Sequence, residues 1–272
     1  MLETGNEITK QPRITLRIGN NSLTFAVADK TAVKGIAYEN YTVKSGFSIA
    51  ANLREAFQQS SLLTQEEYNR AQVMLAAPSM LVPIEEFDED QIETLYRYTF
   101  ATRSNTTVIR SVLPHQNAVA LMAINTDLKT VIDDHYTDVL YMPVEQPVWN
   151  YMHHRSPISL YRQLYAYFHD GSLSIFAFNK NRFSFCNTYN GSHTQNSVYY
   201  ILYVWKLLQM DAEKDELYIA GTPDQEDNLL EQLHRYLAKA YAVNAAAEFN
   251  RAPITDIKGI TLDMVTLYMR GR

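Results

Sequence analysis

The chain has one cysteine, Cys186, among its 272 residues. A lone cysteine cannot close an internal disulfide, which points to a reducing compartment. A reactive thiol needs a cation or a helix start beside it. Cys186 stands instead in the strand-like run RFSFCNTYN and reads as a small core residue. The polar opening MLETGNEITKQP has no apolar h-region, so it does not read as a signal peptide. No run approaches the ~20 apolar residues that cross a bilayer. A cytoplasmic location with no membrane span is therefore expected. No cluster of Lys and Arg occurs, and the net charge is −6. Phosphate-backbone binding needs a basic surface, so the balance argues against nucleic acid as a partner. HExxH, CxxC and G-x-S-x-G are absent as well, which removes the usual anchors for zinc and triad chemistry.

What is present is a normal globular composition, 46% hydrophobic and 20% charged, long enough for two cores of ordinary size. The chain also repeats itself. Residues 13–43 read as three short strands, ITLRIG, SLTFAVAD and VKGIAYENYTV; residues 162–191 repeat the pattern as RQLYAYFHD, SLSIFAFNK and RFSFCNTYN. Ile14, Leu16 and Ile18 alternate with Thr15 and Arg17, the period of a half-buried strand. Gly19–Ser22 and Asp170-Gly171 supply the hairpin turns. Each block then runs into a helix and another strand.

Ser48 is placed to cap the first helix. Thr64 to Glu67 has capping-box spacing and predicts a short second one. Residues 71–77, AQVMLAA, form a short apolar run closed by Pro78, as in a buried strand. Residues 88–91 start a helix bearing Ile92, Leu95, Tyr96 and Thr99. Thr106 to Val112 reads as a strand and Gln116 to Ile124 as a helix. In the second half, Ser192 to Gln195 has capping-box spacing before a helix that is apolar on nearly every side, Val198 to Met210. That helix is expected at the packing centre between the halves, with Tyr199, Tyr200 and Tyr203 in core contacts rather than a partner site. A strand at 216–220, a long amphipathic helix from Leu229 to Ala240, a strand at 245–249 and a helix at 260–269 complete the pattern. Residues 126–161 are the least legible, because Pro143, Pro147 and Pro157 argue against one long helix. The boundary is placed here, giving units 12–150 and 151–272, with the last helix free to pack back on the first unit. Asp127, Asp133, Asp134, Asp138 and Glu145 read as a solvated acidic face. His153-His154, read on a strand, would point to opposite faces and so would not share a metal with His135.

This duplicated order resembles the actin-like ATPase fold of actin, Hsp70-type chaperones and sugar kinases. The whole chain is similar to a bacterial family of uncharacterised proteins with that fold. The resemblance implies an α/β protein of two actin-like (ribonuclease H-like) domains, each a mixed five-stranded sheet flanked by helices, with a cleft between them. It also implies a nucleotide and a metal held in the cleft by Asp-x-Gly hairpins, one per domain. The matching stretches here read Arg17-Ile18-Gly19 and His169-Asp170-Gly171-Ser172. Arg17 has the wrong charge for a metal ligand and reads most simply as an exposed strand arginine. Asp170 sits one place late and reads as a turn residue. The acid that positions water in the family becomes Leu113 in Leu113-Pro114-His115, and the adenosine turn keeps one glycine in Gly221-Thr222-Pro223.

With those acids lost, the expected function is a non-catalytic scaffold or adaptor, a pseudo-ATPase that binds another protein and needs no cofactor. Homodimerisation stays open. The competing expectation is a divergent ATPase or kinase, with ATP and Mg held by Arg17, Gly19, Asp170, Gly171, Ser172, Gly221 and Thr222 in the cleft.

Overall fold

The computed structural model describes residues 12–64, 68–101, 105–156 and 159–269. Two mixed five-stranded sheets dominate it. The first contains β1 (Ile14–Ile18), β2 (Ser22–Ala28), β3 (Ile36–Thr42), β4 (Arg70–Leu75) and β8 (Asp138–Pro143), in the order β3-β2-β1-β4-β8. The second contains β9 (Gln163–His169), β10 (Ser172–Asn179), β11 (Arg182–Asn190), β12 (Glu216–Gly221) and β13 (Ala240–Ala242), in the order β11-β10-β9-β12-β13. In both, the first three strands are antiparallel and the last two run parallel to the first.

The duplication extends to register. Ile18 faces Leu23 as Phe168 faces Leu173, and Leu23 faces Tyr41 as Leu173 faces Tyr189. On the other side, Ile18 pairs with Leu75 as Phe168 pairs with Gly221. Because side chains alternate along a strand, this shared register sends equivalent residues of the two halves to equivalent faces.

Helix α1 (Ile49–Gln59), capped by the Ser48 hydroxyl, and α3 (Thr126–Asp133) cover one face of the first sheet. Leu53, Phe57, Leu128 and Ile132 pack there on Ile14, Leu16, Phe25 and Val73. Helices α5 (Thr194–Leu207) and α6 (Glu226–Leu233) cover the second sheet in the same way, through Ile201, Val204, Leu229 and Leu233.

The inward faces of the two sheets are covered crosswise. Helix α4 (Gln146–Arg155) follows β8 of the first sheet, yet Trp149 and Met152 pack on Tyr165, Tyr167 and Phe176 of the second. Helix α8 (Leu262–Tyr268) comes at the other end of the chain, and its Met264 and Val265 pack on Ala26 and Met74 of the first. Between β4 and α3 the chain adds a third, antiparallel sheet of β5 (Ser79–Pro83), β6 (Thr106–Leu113) and β7 (Ala118–Asn125), ordered β5-β7-β6. Helix α2 (Ile92–Thr99) closes it with Tyr96 against Val82, Val119 and Leu121.

Several expectations are corrected. Gln116 to Ile124 contains β7 rather than a helix: its apolar run is the central strand of the third sheet, paired on both sides. Residues 245–249 form a short helix, α7 (Ala245–Glu248), capped by Asn244. The long helix expected to Ala240 stops at Leu233, and Ala240 begins β13. Helix α5 is not the packing centre between the halves. It lies on the outer face of the second sheet, with Tyr199 64% and Tyr203 50% exposed. Its N-cap is His193 and makes no side-chain cap bond; Ser192 Oγ instead donates to the Gly171 carbonyl at 3.3 Å. His153 and His154 lie on α4, not on a strand, and Pro147 sits in the first turn of that helix, where a missing N–H costs nothing. The expected helix start at Thr64 extends into residues 65–67, outside the described residues.

Candidate functional site

The inward face of β1 carries Thr15 and Arg17, because Ile14, Leu16 and Ile18 take the other face. Arg17 is 3% exposed, so the expectation of an exposed strand arginine is overturned. Its Nε donates to both Asp263 oxygens, at 3.0 and 2.9 Å, and one terminal nitrogen donates to Asp263 Oδ2 at 2.8 Å. The guanidinium also reaches Asp170, with contacts of 2.7 and 3.3 Å. One side chain from the first sheet thus ties together the start of α8 and the second sheet's hairpin.

Asp263 is fully buried in the first turn of α8, where the unpaired helix N–H groups favour negative charge. Thr261 Oγ1 and the Tyr167 hydroxyl donate to it as well, the latter at 3.0 Å. Asp170 and Gly171 form the β9–β10 turn, with φ of 47° and 75°, as Asp-Gly favours. Asp170 is therefore the expected turn residue, but its carboxylate points back across the cleft to Arg17. The two hairpins also touch directly: Asn20 Nδ2 donates to the Asp170 carbonyl at 2.8 Å.

Gly19 makes this approach possible. A Cβ at position 19 would lie 2.3 Å from Asp170 Oδ1. The glycine that the resemblance assigns to phosphate approach here admits a carboxylate of the same chain.

His169, inward-facing on β9, lies between two acids. Its Nε2 is 3.3 Å from Glu145 Oε1 and its Nδ1 is 3.4 Å from Asp170 Oδ2. The Glu145 contact is an ion-pair approach without hydrogen-bond alignment, since His169 Nε2 has no hydrogen-bond partner. Glu145 is 1% exposed and stands at the junction of β8 and α4, so it does not belong to a solvated acidic face.

The electrostatics are mutually dependent. Burial alone would lower the Arg17 pKa, but Asp263 and then Asp170 raise it above its ordinary value. Burial also opposes charge on His169, yet Glu145 and Asp170 push its pKa up to about 9. Asp170 is held well below the usual carboxylate range: burial opposes this, and hydrogen bonds from His169 and Arg17 outweigh it. Burial raises the Cys186 thiol far above its ordinary value, which disfavours the thiolate a nucleophile needs. The residue is half-buried, packed against the cluster around Trp149, and not the core residue the sequence suggests.

The structure brings Arg17, Gly19, Asp170, Gly171 and Ser172 together. Asp170, Gly171 and Ser172 line a cavity of about 540 Å³ with Glu145 and His169. Gly221 and Thr222 lie on the opposite side of β9, outside that lining. Gly221 has a local structural reason: its φ is 85° and a Cβ would lie 2.0 Å from the Phe168 carbonyl oxygen. Gly221→Ala is expected to cost about 1–3 kcal/mol through backbone strain, read as a lower urea midpoint.

The register also corrects the alignment of the two hairpins. Ile18 is equivalent to Phe168, so Arg17 corresponds to Tyr167 rather than to His169. Both equivalent residues contact Asp263. The stretch from Leu113 to Ala118 turns between β6 and β7 in the third sheet, away from any strand-to-helix junction of the main sheets. Glu145-Gln146-Pro147, at the end of β8, is where an acid precedes a proline at a helix start. Sequence reasoning missed Glu145 and Asp263. The acid-x-Pro spacing could have found the first. No local signal marks the second, which matters only because α8 packs on the first sheet. The histidines form no metal cluster: His135, His153 and His154 each direct a ring nitrogen to a backbone carbonyl, and among the described residues no set of three ligands is placed for a metal.

The chain belongs to the family described as a protein of unknown function, DUF3822, whose model matches residues 3–240. None of the curated proteins matches it. Among solved structures, it is similar to a Bacteroides thetaiotaomicron protein with actin-like ATPase fold and unknown function, at 23% identity and TM-score 0.81, over 98% of each chain. It is also similar to a chain of the PilM–PilN type IV pilus biogenesis complex, at 12% identity and TM-score 0.52, covering 86% of this chain and 89% of that one. The fold is accordingly actin-like, with two mixed five-stranded sheets. Among the described residues no helix is long and apolar enough to cross a membrane.

Proposed function

We propose that this member of the family is a non-catalytic actin-like scaffold, a pseudo-ATPase that works in the cytoplasm by holding another protein. The reading takes residues 12–150 and 151–272 as its two units. The observation that carries it is the buried Arg17 bridge to Asp263 and Asp170. In a phosphoryl-transfer site, hairpin backbone and a metal receive the phosphates. Here the guanidinium is already saturated by two carboxylates, and Asp170 fills the space beside Gly19. An incoming phosphate would have to displace a paired carboxylate in a buried site, at a large electrostatic cost. The PilM–PilN complex supports the reading as a case of this fold assembled with another protein.

One observation favours a second reading, a divergent ATPase or kinase. Glu145, followed by Pro147 at the start of α4, has the acid-and-proline arrangement that the resemblance assigns to water positioning, and it faces the cavity. A thermal-shift and phosphate-release experiment with ATP, ADP and magnesium separates the two. The scaffold reading expects no shift and no phosphate. A ligand at a hundredfold excess over its dissociation constant would stabilise by about 2.7 kcal/mol. Such a shift, with phosphate release abolished in Glu145→Gln, would establish the enzyme instead.

A further inference from the structure

Two sheet edges face each other beside the charged site. Among the described strands β11 pairs only with β10, and β5 only with β7. Between them runs a groove of about 430 Å³, with Met80, Leu81, Phe183 and Phe185 in its walls. An open edge presents unpaired backbone groups and is a template for an added strand. The groove is continuous with the 540 Å³ cavity: Ser79, Phe100 and Asn187 line both.

Each compartment holds an orphaned acceptor. Gln116, in the groove wall, and Glu145, in the cavity wall, are each 1% exposed. Gln116 Oε1 and Glu145 Oε2 have no hydrogen-bond partner among the described residues. Buried acceptors left unpaired are costly, so both positions call for a donor. The charges give the sign. Arg17 and His169 face Asp170, Asp263 and Glu145, which leaves one negative charge in excess when the histidine is protonated. An anionic nucleotide would deepen that imbalance, and a small amine alone would leave the apolar groove bare.

We propose that the groove and cavity together hold an extended peptide segment of a partner protein, whose lysine ammonium donates to Glu145 while its backbone lies along the open edge. Gln116 then accepts an N–H from the same segment. The inference rests on the scaffold reading and names the chemistry of the partner.

The probe is a fluorescein-labelled octapeptide of alternating valine and threonine with one central lysine, titrated with the full chain and followed by anisotropy. Its twin carries norleucine, which keeps the length and removes the charge. The lysine peptide should bind about tenfold tighter or better. Glu145→Gln should erase the difference between the twins. Asn187 is exposed on β11 and lines both compartments, so Asn187→Lys should fold normally and weaken the lysine peptide about tenfold by supplying a competing cation. Equal binding of the twins, unchanged affinity in Asn187→Lys, or no binding of either peptide at millimolar concentration would overturn the inference. The phosphate-release result decides separately on the scaffold reading: a chain that neither hydrolyses ATP nor binds the peptide loses only the present inference.

Discussion

Replacing Arg17 by Met is expected to destabilise the protein by about 3–5 kcal/mol, because it strands two carboxylates in a buried site. Asp263 is fully buried and the Asp170 side chain is 8% exposed, so water cannot readily replace the lost guanidinium. Arg17→Lys should rescue little. One ammonium cannot reproduce the fork that places Nε and Nη2 on Asp263 while Nη2 and Nη1 both reach Asp170. The double variant Arg17→Met, Asp263→Asn should be more stable than Arg17→Met alone, since it removes the charge left unpaired while Asp170 keeps His169. Urea unfolding of the three variants checks the account. A loss of under ~1 kcal/mol in Arg17→Met, a value typical of exposed pairs, would show that the bridge does not hold the halves together.

Stability should also fall as pH rises from about 6.5 through 9, and His169 should be the cause. Its folded pKa is pushed up to about 9, above an unfolded value near 6.5. A group raised in the folded state contributes fully below its unfolded pKa and loses that contribution as pH passes the folded one. The full span is on the order of 3 kcal/mol. The facing groups are Glu145 at the start of α4, Asp170 in the turn and the Tyr167 ring, stacked at 4.9 Å. Asp170 has the opposite sign. Its depressed pKa adds stability above the ordinary carboxylate range, and that stability is lost as pH falls through the folded value. The maximum should therefore lie between about pH 4 and 6.5. Urea midpoints at pH 6 and 9.5, in the parent and in His169→Gln, provide the test; a decline of equal size in both would remove His169 as its source.

Local patterns made the duplicated strands legible. Alternation in ITLRI and the Asp-Gly turn each have a short-range physical cause, and both the strand and the turn form. The strand is buried on both faces instead of half-buried, because Thr15 and Arg17 lie under α8 and the second hairpin. The central strand of the third sheet was not legible, because AVALMAI is rich in helix formers. Its partners, β5 and β6, override that preference from outside the segment. The prolines around α4 argue against one long helix, and the segment is indeed divided into α3, β8 and α4, with Pro147 in the first turn of the helix it begins. The charged site was half visible. Arg17 and Asp170 drew notice for their positions in the hairpins, but their pairing spans 153 residues, and Asp263 lies 246 residues from Arg17. No window-based pattern connects residues so far apart, and burial of a strand arginine becomes intelligible only once its counterions are known.

The crosswise covering of the sheets by α4 and α8 has a consequence for biogenesis. Ala26 and Met74 of the first sheet obtain packing partners from α8, a helix translated only after the strands of the second sheet. While the ribosome is still adding the second half, that apolar surface stays open to water and to other nascent proteins, as does Arg17 without Asp263. Covering of the first sheet's inward face is thus a late, long-range event. Contacts between residues so far apart in sequence must pay loop-closure entropy before they add stability, which makes this docking slower than the local pairing of the hairpins.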